Sequence, residues 1–311
     1  MAGTETDLSK EIVLPQDPLF LVGYPRSGST LLQSLLAALA VSPRILSFPE
    51  THYFNVIEKE MHVSSDELIE ESAIEWALEK LEEKVALHFA GKERKEMRRL
   101  AKDRRLSSKA LFERIVSHLL SAQPRFRHAD GDVPFRWLEK TPYHANFLDR
   151  IISFYPQAQI LHILRHPVPA VLSRKLKFPF NKETPLTTLA QHWNHIVENV
   201  ERFRRKASSR VYTLKYEDLV RNVERELGAV SRFLCVRLDF SRMDRVNSER
   251  DAFVLPGEPW KVHDMRKHLV NTNETYRDTI SPRDVEAIES VVMETMRRCG
   301  YESYGSLETI R

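Results

Sequence analysis

Apolar residues are arranged along this chain in two ways, as short runs that suit strands and as stripes that suit helices. The runs stand at about 19–23, 43–48, 135–139, 158–164 and 210–215, each followed directly or after a loop by a helical stretch. After the first run, Leu31, Leu32, Leu35, Leu36 and Leu39 share one helical face. Over 186–203, Leu186, Leu189, Trp193, Ile196, Val197, Val200 and Phe203 recur at core spacing, so their aromatics are read as packing. A last helix is expected from Ser281 and Pro282, with Asp284 in its first turn, to a stop before Gly300. Between the second and third runs lies an insertion at about 55–133. It carries two amphipathic stripes, Ile74, Leu78, Leu81, Val85 and Phe89, then Leu111, Phe112, Ile115, Val116 and Leu119. The stretch 92–105 is dense in charge, with Met97 and Leu100 as its apolar anchors, and reads as a solvated helix. Strands that alternate with helices predict an α/β fold: a parallel sheet of about five strands flanked by helices, with a helical insertion between the second and third strands. Ligand groups are expected at the carboxyl ends of the strands.

Composition narrows the reading only modestly. A chain of 311 residues with 42% hydrophobic content can bury one large core, so we expect a tail over 1–17 and a single domain over 18–311. The net charge of +3 implies no nucleic-acid footprint and suits a compact anionic ligand better. Cys235 and Cys299 are too few and too far apart for a disulfide framework or a zinc knuckle, and His192 with His195 lacks a third ligand, so no metal site is expected. The first residues lack the basic and apolar regions of a secretory signal, and no apolar run approaches the ~20 residues that span a bilayer. The expectation is a cytoplasmic protein.

Candidate chemistry begins at 23–30, Gly-Tyr-Pro-Arg-Ser-Gly-Ser-Thr, which lies between the first strand and its helix. The glycine spacing is that of a phosphate-binding loop, and N–H groups at a helix start favour an anionic tetrahedral group that Gly28 lets approach closely. A nucleotide-hydrolysing loop would carry lysine at position 29, where this chain has Ser29, and would use the next hydroxyl to hold magnesium. Arg26 is the nearby cation. It and the N–H groups of Ser27, Gly28, Ser29 and Thr30 form the candidate anion site; Ser29 and Thr30 serve as hydroxyl donors, helix caps or both.

Four further segments stand with that loop: Phe-Pro-Glu-Thr-His-Tyr-Phe at 48–54, Trp-Leu-Glu-Lys-Thr-Pro-Tyr-His at 137–144, Ile-Leu-Arg-His-Pro-Val-Pro-Ala-Val-Leu-Ser at 163–173, and Lys-Tyr-Glu-Asp-Leu at 215–219. In this order the five resemble the sulfotransferases that use 3′-phosphoadenosine 5′-phosphosulfate (PAPS). The resemblance runs from about residue 18 to the last helix and is thinnest over 55–133. Arginine rather than lysine at position 26 aligns the chain with the bacterial and tyrosylprotein enzymes more than with the phenol and steroid enzymes.

The resemblance implies an enzyme that transfers a sulfuryl group to a hydroxylated acceptor and releases adenosine 3′,5′-bisphosphate (PAP). It implies that Arg26 and the loop hold the 5′-phosphosulfate, that Arg165 and Ser173 hold the 3′-phosphate, that Tyr216 lies near the nucleotide, and that Lys140 reaches the transferring oxygens. It implies further that Lys267 belongs to a late segment, 260–273, that closes over the nucleotide. For the base, the Pro-Glu-Thr pattern points to Glu50, while the adjoining Thr-His pair keeps His52 open. Burial of Glu50 beside an apolar acceptor would raise its basicity. Glu217 and Asp218 are read as structural. Sulfuryl transfer through a loose transition state asks a protein mainly for positioning and charge stabilisation, which side-chain cations can supply. Two other readings are a kinase-like phosphotransferase, which would need the loop lysine, and an inactive nucleotide-binding interaction protein, against which Glu50 and Lys140 both stand. The acceptor and the oligomeric state are not legible.

Overall fold

A computed structural model describes residues 13–61, 67–85, 89, 91–123, 134–252, 269, 271–276 and 280–306. Five parallel strands form the central sheet: β1 (Leu19–Gly23), β3 (Arg44–Ser47), β4 (Phe135–Lys140), β5 (Gln159–Leu164) and β6 (Val211–Lys215), in the order β3-β4-β1-β5-β6. These are the five apolar runs, shifted by at most one residue at their ends. The patterns did not announce a small antiparallel ribbon, β2 (Ala40–Ser42) against β7 (Arg237–Leu238), because two- and three-residue strands carry no period.

β1 is buried along its whole length, and its alternation assigns one face to each layer. Leu19 and Leu21 meet helix α1 (Ser29–Leu39), while Phe20 and Val22 face the core shared with the insertion. The insertion forms α2 (Glu71–Val85), α3 (Gly91–Lys102) and α4 (Ser108–Ala122). Phe112 of α4 lies 6.4 Å from Phe20 and 6.1 Å from Trp137, ring centre to ring centre, so the insertion helices pack on the sheet's own core. Phe89 falls outside α2 but is buried, as its place in the stripe suggested. The charged run is helix α3, with Met97 and Leu100 buried and Arg94 held between Glu75 at 2.7 Å and Glu82 at 2.6 Å on α2. It is therefore pinned along one edge as well as solvated on the other.

Downstream come α5 (Leu148–Phe154), α6 (Pro167–Lys177), α7 (Leu186–Lys206), α8 (Tyr216–Arg221), α9 (Val223–Leu234), α10 (Val246–Ala252) and α11 (Pro282–Arg298). The Ser281 hydroxyl accepts from the Asp284 N–H at 3.1 Å, which caps α11 where the sequence placed its start. No helix among the described residues is long and apolar enough to cross a membrane.

Candidate active site

The site is assembled at the carboxyl ends of the five strands, each of which hands one candidate segment to the same rim. After β1 the chain turns through residues 24–28, where the Ser27 N–H donates to the Tyr24 carbonyl at 3.1 Å. That amide closes the turn and so does not point at a ligand, unlike the expectation for it. Gly28 caps α1 at φ 94, and the first intrahelical bond, Leu32 N–H to Gly28 carbonyl at 3.1 Å, leaves the N–H groups of Ser29, Thr30 and Leu31 without an intrahelical acceptor. Three free donors and the positive end of a helix dipole thus stand where the loop predicted an anion. A Cβ on Gly28 would come within 2.6 Å of the Tyr216 ring, so the glycine permits both the left-handed turn and the ring's approach.

Arg26 itself has φ 75, a strained conformation for a side-chain-bearing residue. Its Nε donates to the Ser173 hydroxyl at 3.2 Å. Arg165 is buried directly beside it and donates Nη1 to the Arg26 carbonyl at 2.7 Å, with its guanidinium 4.7 Å from the centre of the Tyr216 ring. Burial and then the Arg165 charge pull the Arg26 guanidinium down to about 10. Two adjoining cations, Arg165 buried and Arg26 half-buried, favour an anion between them. The residues assigned to the donor, Arg26, Ser173, Arg165 and Tyr216, therefore converge, although they come from four separate segments.

The late segment also reaches this place. Arg165 Nη2 donates to the Thr272 hydroxyl at 3.0 Å and Nε to the Asn273 side-chain oxygen at 2.7 Å, while the Tyr216 hydroxyl meets Thr272 at 3.0 Å. Lys267 lies outside the described residues. Glu217 accepts from the His166 N–H at 2.9 Å, from Asn273 at 2.7 Å and from the Tyr301 hydroxyl at 2.8 Å, contacts that suit a structural role.

The residues expected to carry the transfer chemistry meet at the first turn of α1. Lys140, at the end of β4, is 1% exposed, contacts Glu50 as an ion pair, and stands 3.5 Å from the Thr30 hydroxyl. His52 Nε2 lies 3.4 Å from the other Glu50 oxygen. Glu50 thus meets two nitrogen groups, one on each carboxylate oxygen. His52 sits at φ 51, immediately before a π-helical turn, Tyr53–Glu58.

A residue the sequence reading passed over holds this centre together. Glu139 is wholly buried and accepts from the hydroxyls of Thr51 at 2.9 Å and Thr141 at 2.6 Å, and from His144 Nδ1 at 2.8 Å. His144 Nε2 accepts from the Phe54 N–H at 3.4 Å, which leaves Nδ1 to donate. Burial pushes the Glu139 carboxyl up, and His144 with the two hydroxyls pulls it back below the ordinary carboxylate range. The cluster ties the segment bearing Glu50 and His52 to the end of β4. An acidic residue inside an apolar run, followed by threonine and histidine at two and five residues, was the available signal.

The sequence profile of the sulfotransferase family matches residues 18–240. The chain belongs to the sulfotransferase family. No curated protein sequence matches it. Solved structures show a common fold at low identity. The sulfotransferase domain from the curacin biosynthetic pathway is 18% identical with a TM-score of 0.57, over 93% of this chain and 99% of that one. The sulfotransferase domain from the Synechococcus PCC 7002 olefin synthase is 19% identical with a TM-score of 0.54, over 94% and 98%. Mouse sulfotransferase SULT7A1, solved in complex with PAP, is 15% identical with a TM-score of 0.50, over 92% and 88%. This sulfotransferase is therefore an enzyme, and it shares their fold.

Proposed function

We propose that this sulfotransferase takes its sulfuryl group from PAPS and passes it to an acceptor hydroxyl, with Glu50 as base and Arg26 and Lys140 as the cationic clamp. The observation that carries the assignment is the Glu50 to Lys140 ion pair beside Thr30, at the amino end of the helix that follows the anion loop. In the reaction the acceptor oxygen bonds to sulfur as the bond from sulfur to the 5′-phosphate oxygen breaks. The acceptor proton passes to Glu50, which frees Lys140 to bond the sulfuryl oxygens. The amino end of α1 and Arg26 stabilise charge on the departing PAP. Arg165 and Ser173 hold the 3′-phosphate, with Arg165 supplying a bidentate fork, and Tyr216 lies along the nucleotide. Lys267 closes the site from the late segment. His52 orients Glu50, and stands as the alternative base.

The unit that does this is residues 18–311 acting as one domain, with the 55–133 insertion shaping the acceptor site. Two well-separated free cysteines and a net charge of +3 support a cytoplasmic enzyme without a nucleic-acid partner. Thermal shifts with PAP, AMP and magnesium-ATP test the donor, because a ligand of the native state raises its stability. A response selective for PAP is expected; a response to magnesium-ATP alone would instead make the protein kinase-like. Because side chains supply the positive charge, PAPS turnover should survive EDTA. Loss in chelator with recovery in magnesium would refute the clamp.

A further inference from the structure

Next to Ser173 on α6 lies a buried cation that the donor assignment does not use. Arg174 is 4% exposed, and it forms no ion pair among the described residues. Its guanidinium lies 5.1 Å from the centre of the Tyr24 ring and 5.4 Å from that of Tyr143, with Nη1 3.4 Å from His192 Nδ1. Its Nε is out of solvent and has no hydrogen-bond partner. Two other buried cations do meet a carboxylate: Lys140 meets Glu50, and Arg136 meets Asp17 at 2.9 Å. Arginine cannot shed its proton to escape such a site, and the imidazole beside it adds no negative charge. Burial, with the Arg174 charge and His195 nearby, lowers His192 from its ordinary value. A buried charge without a counter-ion is unfavourable unless a ligand supplies one.

The position of Arg174 decides which ligand. Ser173 faces Arg26, and one residue along a helix turns the next side chain by about 100°, away from that contact. Tyr143, whose ring lies 5.4 Å from the guanidinium, follows three residues after Lys140, which pairs with Glu50, so Arg174 adjoins the segment that carries the acceptor chemistry. We infer that Arg174 binds an oxyanion of the acceptor, and that this sulfotransferase acts on hydroxyl compounds bearing a carboxylate or phosphate, held between Tyr24 and Tyr143. This rests on the donor assignment above, which leaves Arg174 outside the PAP contacts.

The test uses the full chain saturated with PAP, so that the donor's anion sites are filled, and compares benzoate, phenyl phosphate and neutral benzamide by thermal shift. At least one anion should bind wild type roughly tenfold or more tightly than benzamide, and which one distinguishes carboxylate from phosphate. Arg174→Met should abolish that preference, keep PAP affinity within about threefold by calorimetry, and melt no lower than wild type in anion-free buffer, since it removes an unpaired buried charge. Arg174→Lys, which keeps the charge without the fork, should retain part of the preference. Equal response of wild type to all three probes would overturn the inference. So would a loss of PAP binding in Arg174→Met, which would return the guanidinium to the donor, or a marked fall in its melting temperature, which would make it a structural prop. Failure of wild type to bind PAP would count against the donor assignment instead.

Discussion

Glu50 is shared between Lys140 and His52, and the two contacts predict different consequences of mutation. If the carboxylate takes the acceptor proton, Glu50→Gln keeps the shape and the donor affinity and lowers turnover by roughly 10²–10⁴-fold. His52→Asn should be milder, because the histidine meets Glu50 at 3.4 Å, a looser contact than that of Lys140. Turnover of PAPS across phenols of graded pKa measures this: an acidic acceptor, already ionised, should partly rescue Glu50→Gln. If the histidine variant proves the slower, the roles are exchanged. At the donor, Arg165→Ala should weaken PAP more than AMP by roughly 1.5–3 kcal/mol, since only PAP carries the 3′-phosphate. The comparison of the two nucleotides matters because Arg165 also bonds Arg26, Thr272 and Asn273, whose loss would weaken both alike. Equal losses in calorimetry would remove Arg165 from the 3′-phosphate. Arg26 and Arg165 were legible from their motifs. Glu139 was not, because its function depends on donors from 51, 141 and 144 that only the fold gathers.

At the scale of elements, the turn from β1 into α1 sets the geometry on which both halves of the site depend. Gly28 occupies it at φ 94 with the Tyr216 ring against it. Gly28→Ala should therefore cost about 1–2 kcal/mol for the left-handed backbone alone and more for displacing the ring. Both a lower melting temperature and weaker PAP binding are expected. Wild-type affinity in this variant would show that the loop does not shape the anion site. The sequence marked this turn well, since a strand run, a glycine pattern and a leucine stripe follow one another without a gap. It marked the insertion less well: the α2 and α4 stripes were plain, yet their docking on Phe20 and Trp137 depends on partners far away in the chain.

Across the whole molecule, buried polar groups set the response to acid. His162, on the β5 face shared with Ile160 and Leu164, is 1% exposed, with Nε2 unpartnered and Nδ1 3.4 Å from the Thr213 hydroxyl. Burial and then the Arg204 charge depress it from its ordinary 6.5 to about 3. Between those values the unfolded chain binds a proton that the folded one refuses, so stability falls as pH falls through this window. The loss is at most about 1.4 kcal/mol per pH unit. His162→Leu should flatten the slope of unfolding free energy between pH 6.5 and 5, read by urea titration. Parallel slopes for the two proteins would mean that other groups carry the acid response.

What the sequence determined by itself was the set of local choices: five apolar runs for five strands, the leucine and aromatic stripes of the main helices, and the anion loop with its arginine. Those follow from short-range periodicity and backbone chemistry, which adjacent residues suffice to express. Tertiary structure alone decided which residues meet. It set Arg165 beside Arg26, 139 residues apart in the chain, and Lys140 against Glu50, 90 apart. It also closed Glu139 inside a ring of donors and set Arg174 between two tyrosines, with no counter-ion among the described residues. Burial and pairing are properties of neighbours in space, so no window along the chain contains them.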